Sequence, residues 1–483
     1  MDNELKIKKV KKHEIDMCSG NLFKKIIIFS LPLAAMGMLQ LFYNAADLLV
    51  VSNFGNQEGA LGAVGSTSAL INLIVNLFMG LSVGTNVVCA KLFGAKEYDR
   101  IGKVVHTSIL ISLITGTILG IIGFFMAGTF LKLMNNDLYL SELYLKIYFI
   151  GMPFNMVYNF AAAVLRAIGD TKRPLYFLSI AGIINIILNL FFVIVCKMGV
   201  AGVAVATIIS QLISCVLIMW TLLKSNECYR FRFNELKIHK KELLEIVKIG
   251  LPAGIQSCIF SISNVIIQSS VNSFTVNKTA VMDGNSAASS IEGFVYTAMN
   301  AVYHAALAFT GQNYGAENKK NIKKVTIYSL VIVTMIALVF GGALFILGRQ
   351  VLKIYIRPTG NSEEAVQAAK VALEVGYIRL HYLCLPYFLC GIMDVMVGVL
   401  RGLGSSTIPM IVSIVGVCGF RIAWVYLIFR EYTSFVDYND LHMLYISYPI
   451  SWIITFLIHL ITYFIYSRKL FKKFKCTTDL KTA

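Results

Sequence analysis

Hydrophobic positions in this chain do not alternate with polar ones at the period of a helix half in water. They come in long runs separated by short polar breaks. Twelve runs can be read off: 26–50, 61–90, 104–131, 143–165, 175–196, 200–223, 247–272, 286–311, 325–348, 376–400, 409–429 and 442–466. At about twenty residues or more, each is long enough to cross a hydrocarbon core of ~30 Å as a helix. Lipid offers no partner to a bare amide or carbonyl, so runs of this kind predict helices. The first run is too long for the apolar stretch of a signal peptide, and no small-residue cleavage site follows its middle. It reads as the first span.

The breaks carry landmarks that recur. "IIIFSLPLAAMGMLQLFYNAADLLV" opens the first half and "IVKIGLPAGIQSCIFSISNVIIQSS" the second, so that Leu31-Pro32 is answered by Leu251-Pro252. "KLFGAKEYDRIGKV" after the second run is answered by "QNYGAENKKNIKKV" after the eighth. "VLRAIGDTKRP" after the fourth is answered by "VLRGLGSSTIP" after the tenth, pairing Arg166 with Arg401 and Pro174 with Pro409 at one and the same interval. Three landmarks in the same order mean a duplication of six runs. Six is even, so each half starts and finishes on one side of the membrane, and the repeats are parallel. The expected fold is an all-α polytopic membrane protein. Twelve transmembrane helices form two six-helix lobes, related by a pseudo-two-fold axis along the membrane normal. The segments are an N-terminal tail 1–25, an N-lobe 26–223, a charged linker 224–246, a C-lobe 247–466 and a tail 467–483. Two such lobes suggest a transporter with its substrate bound between them, and access alternating by rocking.

Composition supports the membrane reading, since 57% hydrophobic and 14% charged residues are outside the range of a soluble protein. The net charge of +17 would fit nucleic acid if it were spread over a surface. It is bunched instead, in Lys6, Lys8, Lys9, Lys11, Lys12, Lys24 and Lys25, in the breaks after even-numbered runs, and in the C-terminal tail. The break "SNFGNQEG" after the first run has no cation. This asymmetry places both termini in the cytoplasm, against anionic head groups, and leaves no nucleic-acid surface. A Lys- and Ile-rich chain of this type points to a bacterial cell (plasma or inner) membrane. The ten cysteines are scattered without CxxC or Cys/His spacing, so they read as small packing residues.

The chain resembles the multidrug and toxic compound extrusion (MATE) family over nearly its whole length. The resemblance is carried by "YNAADLLVVSNFG", the two "GA" breaks, "LRAIGDTKRP", "NIILNLFFV" and "LRGLG". It implies a cation-coupled exporter of organic compounds with a V-shaped cavity between two lobes. The match is nearest the branch with an aspartate site in span 1. In that branch the cation site uses an Asp in span 1, an Asn and an Asp four apart in span 5, and a Thr in span 6. The corresponding positions here are Asp47, Asn185, Asn189 and Thr207. The sequence departs from the pattern at Asn189, which stands where the family has an acid. A second branch uses a Glu in span 7, where this chain has Phe260, and its span 10 acid matches Asp394 only loosely.

The residues have their own chemistry. A carboxylate at membrane depth costs several kcal/mol unless it is paired, protonated or ligating a cation, so Asp47 is a functional candidate. The alternative is a helix-end residue solvated beside "SNFG". Asn185 and Asn189 project from one helix face, and their carbonyls with the Thr207 hydroxyl are oxygen ligands that suit Na⁺. Both amides could equally be interhelical hydrogen-bond glue. One carboxylate fewer weakens cation binding more than protonation, which favours H⁺ coupling, or Na⁺ held weakly. In the C-lobe the candidates are Asp394, Glu292 and Arg421, and in the N-lobe the repeat mate of Asp394, Asn159. Arg421 reads as the clear cation inside a span and could neutralise Asp394 or Glu292, either as a structural pair or as a docking charge. Gln40, Tyr43, Asn44, Gln256 and Asn264 lie on the repeat-mate spans 1 and 7 and could line a shared cavity. His304 and His381 show no ligand pattern. Pro32 and Pro252 could bend spans 1 and 7 or sit harmlessly in a first turn.

The leading expectation is a secondary active exporter of cationic or amphipathic organic compounds, driven by H⁺ or Na⁺ antiport. It needs no cofactor beyond the coupling ion and acts as a monomer. A lipid-linked oligosaccharide flippase of the same superfamily is the alternative. It is disfavoured if Arg421 is the main cation inside the spans, because pyrophosphate asks for several. An intramembrane enzyme lacks any Walker A, HExxH or GxSxG motif here, and a channel lacks a filter-like loop.

Overall fold

The computed structural model describes residues 14–54, 60–133, 139–358 and 362–482. Lys6, Lys8, Lys9, Lys11 and Lys12 of the basic N-terminus, and most of the break after the first span, lie outside the described residues. Every regular element among the described residues is helical. In chain order these are α1 (Leu22–Phe54), α2 (Ala60–Gly94), α3 (Tyr98–Leu133), α4 (Tyr139–Ile150), α5 (Met152–Ala167), α6 (Lys172–Leu190), α7 (Gly199–Lys224), α8 (Lys240–Asn272) and α9 (Lys278–Gly315). They continue with α10 (Lys319–Tyr355), α11 (Glu363–Cys384), α12 (Tyr387–Gly402), α13 (Thr407–Ser413), α14 (Phe420–Trp424), α15 (Arg430–Tyr432), α16 (Leu441–Tyr445) and α17 (Ser447–Thr482).

These helices supply twelve spanning segments. Nine are long and apolar enough by themselves, and two more are bent pairs, α4–α5 at 49° and α11–α12 at 50°. The twelfth is α9, which is 38 residues long and carries polar residues along its length, among them Asp283, Asn285, Glu292, Asn300 and His304. Both bends fall at a proline, Pro153 at the start of α5 and Pro386 just before α12. Proline lacks the amide that would continue the ladder, so the helix breaks there. Pro32 and Pro252 lie inside α1 and α8, well past the first turn. The harmless first-turn placement is therefore overturned, and each removes one bond from its helix.

Local geometry repeats as the sequence does. Gly169 and Gly404 both have positive φ, +99° and +88°. A π-helical stretch, Phe191–Val195, follows α6, and another, Val425–Phe429, takes the corresponding place in the second repeat, between α14 and α15. A further π stretch, Ile414–Gly419, joins α13 to α14. Outward faces carry large exposed apolar side chains such as Phe125, Ile183, Ile346 and Leu427. Water would tolerate such faces poorly, whereas lipid suits them. The protein is a multi-pass membrane protein.

The described residues divide into two compact units. Unit 1 holds the chain up to Gly250 together with Ala308–Ile322, and unit 2 holds Leu251–Leu307 and everything from Lys323. The division thus falls inside α8, next to Pro252, and inside α9. The core of unit 1 gathers Val50, Ile71, Phe149, Met156, Phe160 and Val203. A satellite core of unit 2 gathers Ala288, Ile291, Leu352, Leu380 and Cys384. The 224–246 segment is pinned to α3. The Arg232 amide donates to His106 Nε2 at 3.0 Å, while Arg100 bonds Glu242 at 3.1 Å and Glu245 at 2.9 Å.

Candidate functional site

In unit 1, α1 and α6 pack along matched faces. Tyr43 and Asp47 are one turn apart on α1, and Gly182, Asn185 and Asn189 share a face of α6. A Cβ at position 182 would collide with Cζ of Tyr43, so the bare glycine makes room for the ring. Tyr43 donates weakly to the Ser179 carbonyl, at 3.5 Å. One turn further along, Asn189 Nδ2 donates to Asp47 Oδ1 at 2.5 Å and to Asn185 Oδ1 at 3.2 Å. All three are buried, with Asp47 only 8% exposed. The solvated helix-end reading of Asp47 is therefore overturned, because the residue lies inside the unit and within α1.

No lysine, arginine or histidine among the described residues contributes to the environment of Asp47; burial and Asn189 do. Tyr144 and Tyr148 of α4 stand close enough for their electrostatics to couple to it. Asn189 Oδ1 is buried and has no hydrogen-bond partner. The site thus holds one carboxylate and two amides, and one of the amide oxygens is unpaired. Thr207 is not joined to this set, because its hydroxyl donates to the Val203 carbonyl of its own helix at 2.9 Å. Gln40 and Asn44 of α1 are exposed, and Tyr43 is half-buried.

Unit 2 treats its acids differently. Glu292 of α9 is held by Arg379 of α11, Nη2 to Oε1 at 2.5 Å and Nε to Oε2 at 3.2 Å. Arg379 Nη1 also donates to Asn285 Oδ1 at 2.7 Å, and the Tyr445 hydroxyl donates to that same oxygen at 2.7 Å. Arg421 therefore does not neutralise Glu292. Its Nε donates to Ser451 at 3.0 Å, its guanidinium lies 3.9 Å from the Tyr448 ring centroid, and its buried Nη2 has no partner. Nor does it form an ion pair with Asp394 among the described residues, although Asp394 lies in the field of both Arg401 and Arg421 and is bonded by Tyr296.

The remaining candidates scatter. Gln256 is buried and accepts from Arg401 Nη2 at 2.8 Å, so it is a structural acceptor. Asn264 is exposed. Asn159 donates back to Asn155 of its own helix at 2.9 Å and 3.1 Å. His381 stacks near Phe345 at 4.5 Å, and His304 meets the Tyr303 ring at 5.0 Å. The expectation that Arg421 is the main intramembrane cation was too narrow, since Arg379 and Arg401 are also buried inside helices of unit 2. Both could be seen in the sequence, Arg379 as "GYIRLHY" within the tenth run. What could not be seen was that its partner lies 87 residues earlier.

A profile of the MatE family matches residues 32–191 and, separately, 252–427. The chain is 27% identical over 405 residues to the probable multidrug resistance protein YpnP of Bacillus subtilis, a match covering 83% of this chain and 87% of that protein. It is 21% identical over 422 residues to the probable multidrug resistance protein NorM of Thermotoga maritima, covering 85% and 86%. Its fold is similar to the outward-facing conformation of a multidrug resistance MATE family transporter, with a TM-score of 0.84 at 22% identity, covering 97% of this chain and all of that one (100%). It is equally similar to a MOP superfamily transporter from Pyrococcus furiosus described by a binding pocket of reverse polarity, with a TM-score of 0.85 at 22% identity and coverage of 97% and 100%.

Proposed function

Because this chain belongs to the MATE family of multidrug efflux transporters, we propose that it exports cationic or amphipathic organic compounds in exchange for H⁺ or Na⁺, with Asp47 as the coupling acid. The observation that carries this is the set of partners around Asp47: a buried carboxylate met by the Asn189 amide and by no cationic side chain among the described residues. An uncompensated charge at that depth is costly, and taking up one small cation removes the cost. Substrate binding that disfavours the cation-loaded state would release the ion, which is all that antiport requires.

The two ions ask different things of Asn189. A proton on Asp47 leaves the Nδ2 bond to the carboxyl oxygen in place. Na⁺ prefers oxygen ligands, so the amide would have to turn and present Oδ1 beside the carboxylate. With Asn at 189 there is one negative charge to hold the ion, which favours H⁺, or Na⁺ at low affinity. The basic breaks and both termini face the cytoplasm in this reading, by the positive-inside asymmetry, and a monomer suffices. The relatives' names as multidrug resistance proteins support a broad organic substrate range.

The test is efflux of a fluorescent organic cation from reconstituted vesicles under separately imposed H⁺ and Na⁺ gradients. Transport driven by either one supports antiport and identifies the ion. No transport with either sinks the reading. Flipping of a lipid-linked oligosaccharide is the second reading, favoured by Arg401 and Arg421, two buried guanidiniums without an ion-pair partner among the described residues. Translocation of a pyrophosphate-linked lipid with no organic-cation efflux would select it.

A further inference from the structure

Ahead of α1, residues 14–19 run as a non-helical strap across the end of unit 1 where α2, α5 and α9 finish. The strap is bonded along its length. The Ile15 amide donates to the Gly169 carbonyl at 3.3 Å. Gly169 has φ +99°, and a Cβ there would collide with the Ile15 carbonyl oxygen, so the turn and the seat both need glycine. Met17 is wholly buried. Its carbonyl accepts from Asn313 Nδ2 at 2.9 Å, and the Cys18 carbonyl accepts from Asn321 Nδ2 at 2.6 Å. Asp16 accepts from the Cys18 amide at 2.8 Å and from the Ser19 hydroxyl, while Lys25 Nζ donates to the Asp16 and Ser19 carbonyls. Glu14 accepts from the Tyr229 hydroxyl at 3.2 Å.

Asn313 and Asn321 belong to Ala308–Ile322, the piece of the second repeat that packs with unit 1. This piece is gripped by close backbone contact. A Cβ on Gly94 would run into the Gln312 carbonyl oxygen, and one on Gly315 would run into the Lys91 carbonyl oxygen. The two "GA" landmarks that reveal the duplication therefore cross each other. Gln312 Nε2 adds a bond to the Ala167 carbonyl at 2.7 Å. The strap closes over this crossing and takes one amide from each side of the turn between α9 and α10.

We propose that residues 14–19 are a latch: they fasten the last turn of α9 and the start of α10 to the turn that follows α5 and must let go each time that face opens during transport. Three elements share one short strap, and no rigid movement of the α9 end away from α5 can keep both the Gly169 and the Asn313 bonds. A transporter that alternates must break this set and remake it. Each bond of this kind is a modest net contribution, so the set is strong enough to hold together and weak enough to release on the timescale of a cycle. The proposal rests on the alternating-access reading above for its consequence, though not for its geometry.

Cys18 reports on the seat. Burial pushes its thiol up to about 11, so little reactive thiolate exists while the strap is down. In the full-length protein in vesicles, modification of Cys18 by N-ethylmaleimide, read by peptide mass spectrometry, should be slow at rest. It should accelerate when a fluorescent organic cation and an ion gradient drive turnover. Asn313→Ala with Asn321→Ala should speed the resting reaction roughly tenfold, the worth of one to two hydrogen bonds. Cys18 Sγ lies 4.0 Å from Gln312 Oε1, so Gln312→Cys should oxidise to a cross-link with Cys18 that stops transport, restored by reduction. Failure of the cross-link to form, or a resting Cys18 as reactive as in unfolded protein, overturns the seat. Transport at an unchanged rate with the cross-link in place overturns the latch alone. A wild-type protein that transports nothing overturns the exporter reading instead, while the resting reactivity still judges the seat.

Discussion

In the first repeat a buried acid, Asp47, meets the amide of Asn189 and, through it, Asn185; in the second a buried acid, Glu292, meets the guanidinium of Arg379, itself held by Asn285. The duplicated scaffold carries two opposite solutions to the same cost. Repeat arithmetic shows how the solutions diverged. The interval that joins Pro174 to Pro409 also joins Tyr144 to Arg379, and Tyr144 lies in the field of Asp47. Where the second repeat supplies a cation, the first supplies a neutral phenol. In turn, Asn185 and Asn189 are answered at the same interval by Phe420 and Trp424. Asp47 is answered by Ile267, at the interval that joins Pro32 to Pro252. The first repeat keeps an acid with no positively charged side chain beside it among the described residues. The second carries a built-in one, which suits a fixed strut better than an exchangeable ion.

This contrast can be broken experimentally. The largest effect is expected at Asp47, where Asp47→Asn should reduce gradient-driven efflux to the passive leak while leaving yield and thermal unfolding unchanged. Efflux at the wild-type rate would remove Asp47 from coupling. Next comes the strut: Arg379→Met leaves Glu292 buried and unpaired and should destabilise unit 2 by about 3–5 kcal/mol. The double substitution with Glu292→Gln should recover much of that loss, and thermal unfolding in detergent reads both. If the double variant is no better than the single, the cost does not come from an orphaned charge. Asn189→Asp restores a second carboxylate beside Asp47 and should tighten Na⁺ dependence of efflux about tenfold. An unaltered Na⁺ response would detach Asn189 from the ion. The smallest effect is expected for Thr207→Val, under about 0.5 kcal/mol, because the hydroxyl is already engaged by the Val203 carbonyl. A large loss of efflux there would mean that Thr207 turns to the ion during the cycle.

Much of this was open to reading in the chain alone. Run length against bilayer thickness located the spans, since lipid imposes one answer on any long apolar segment. The duplication followed from ordered landmarks, and Asp47 stood out because a charge in hydrocarbon is too costly to be incidental. The α4–α5 bend was less legible, because its cause, Pro153, looks like any other proline in an apolar run. Thr207 was drawn into the site by resemblance, and in the structure its hydroxyl donates to the Val203 carbonyl of its own helix.

The sequence by itself settled which segments cross the membrane, how many there are and which of them are copies, because each depends on local composition and spacing. Pairing was decided by the tertiary structure: that Arg379 rather than Arg421 meets Glu292, that Asn189 reaches Asp47 across 142 residues, and that the strap at 14–19 reaches Asn313 and Asn321. A side chain's cost of burial can be read where it stands, but the group that offsets it is chosen by which helices pack together, and that choice belongs to the whole fold.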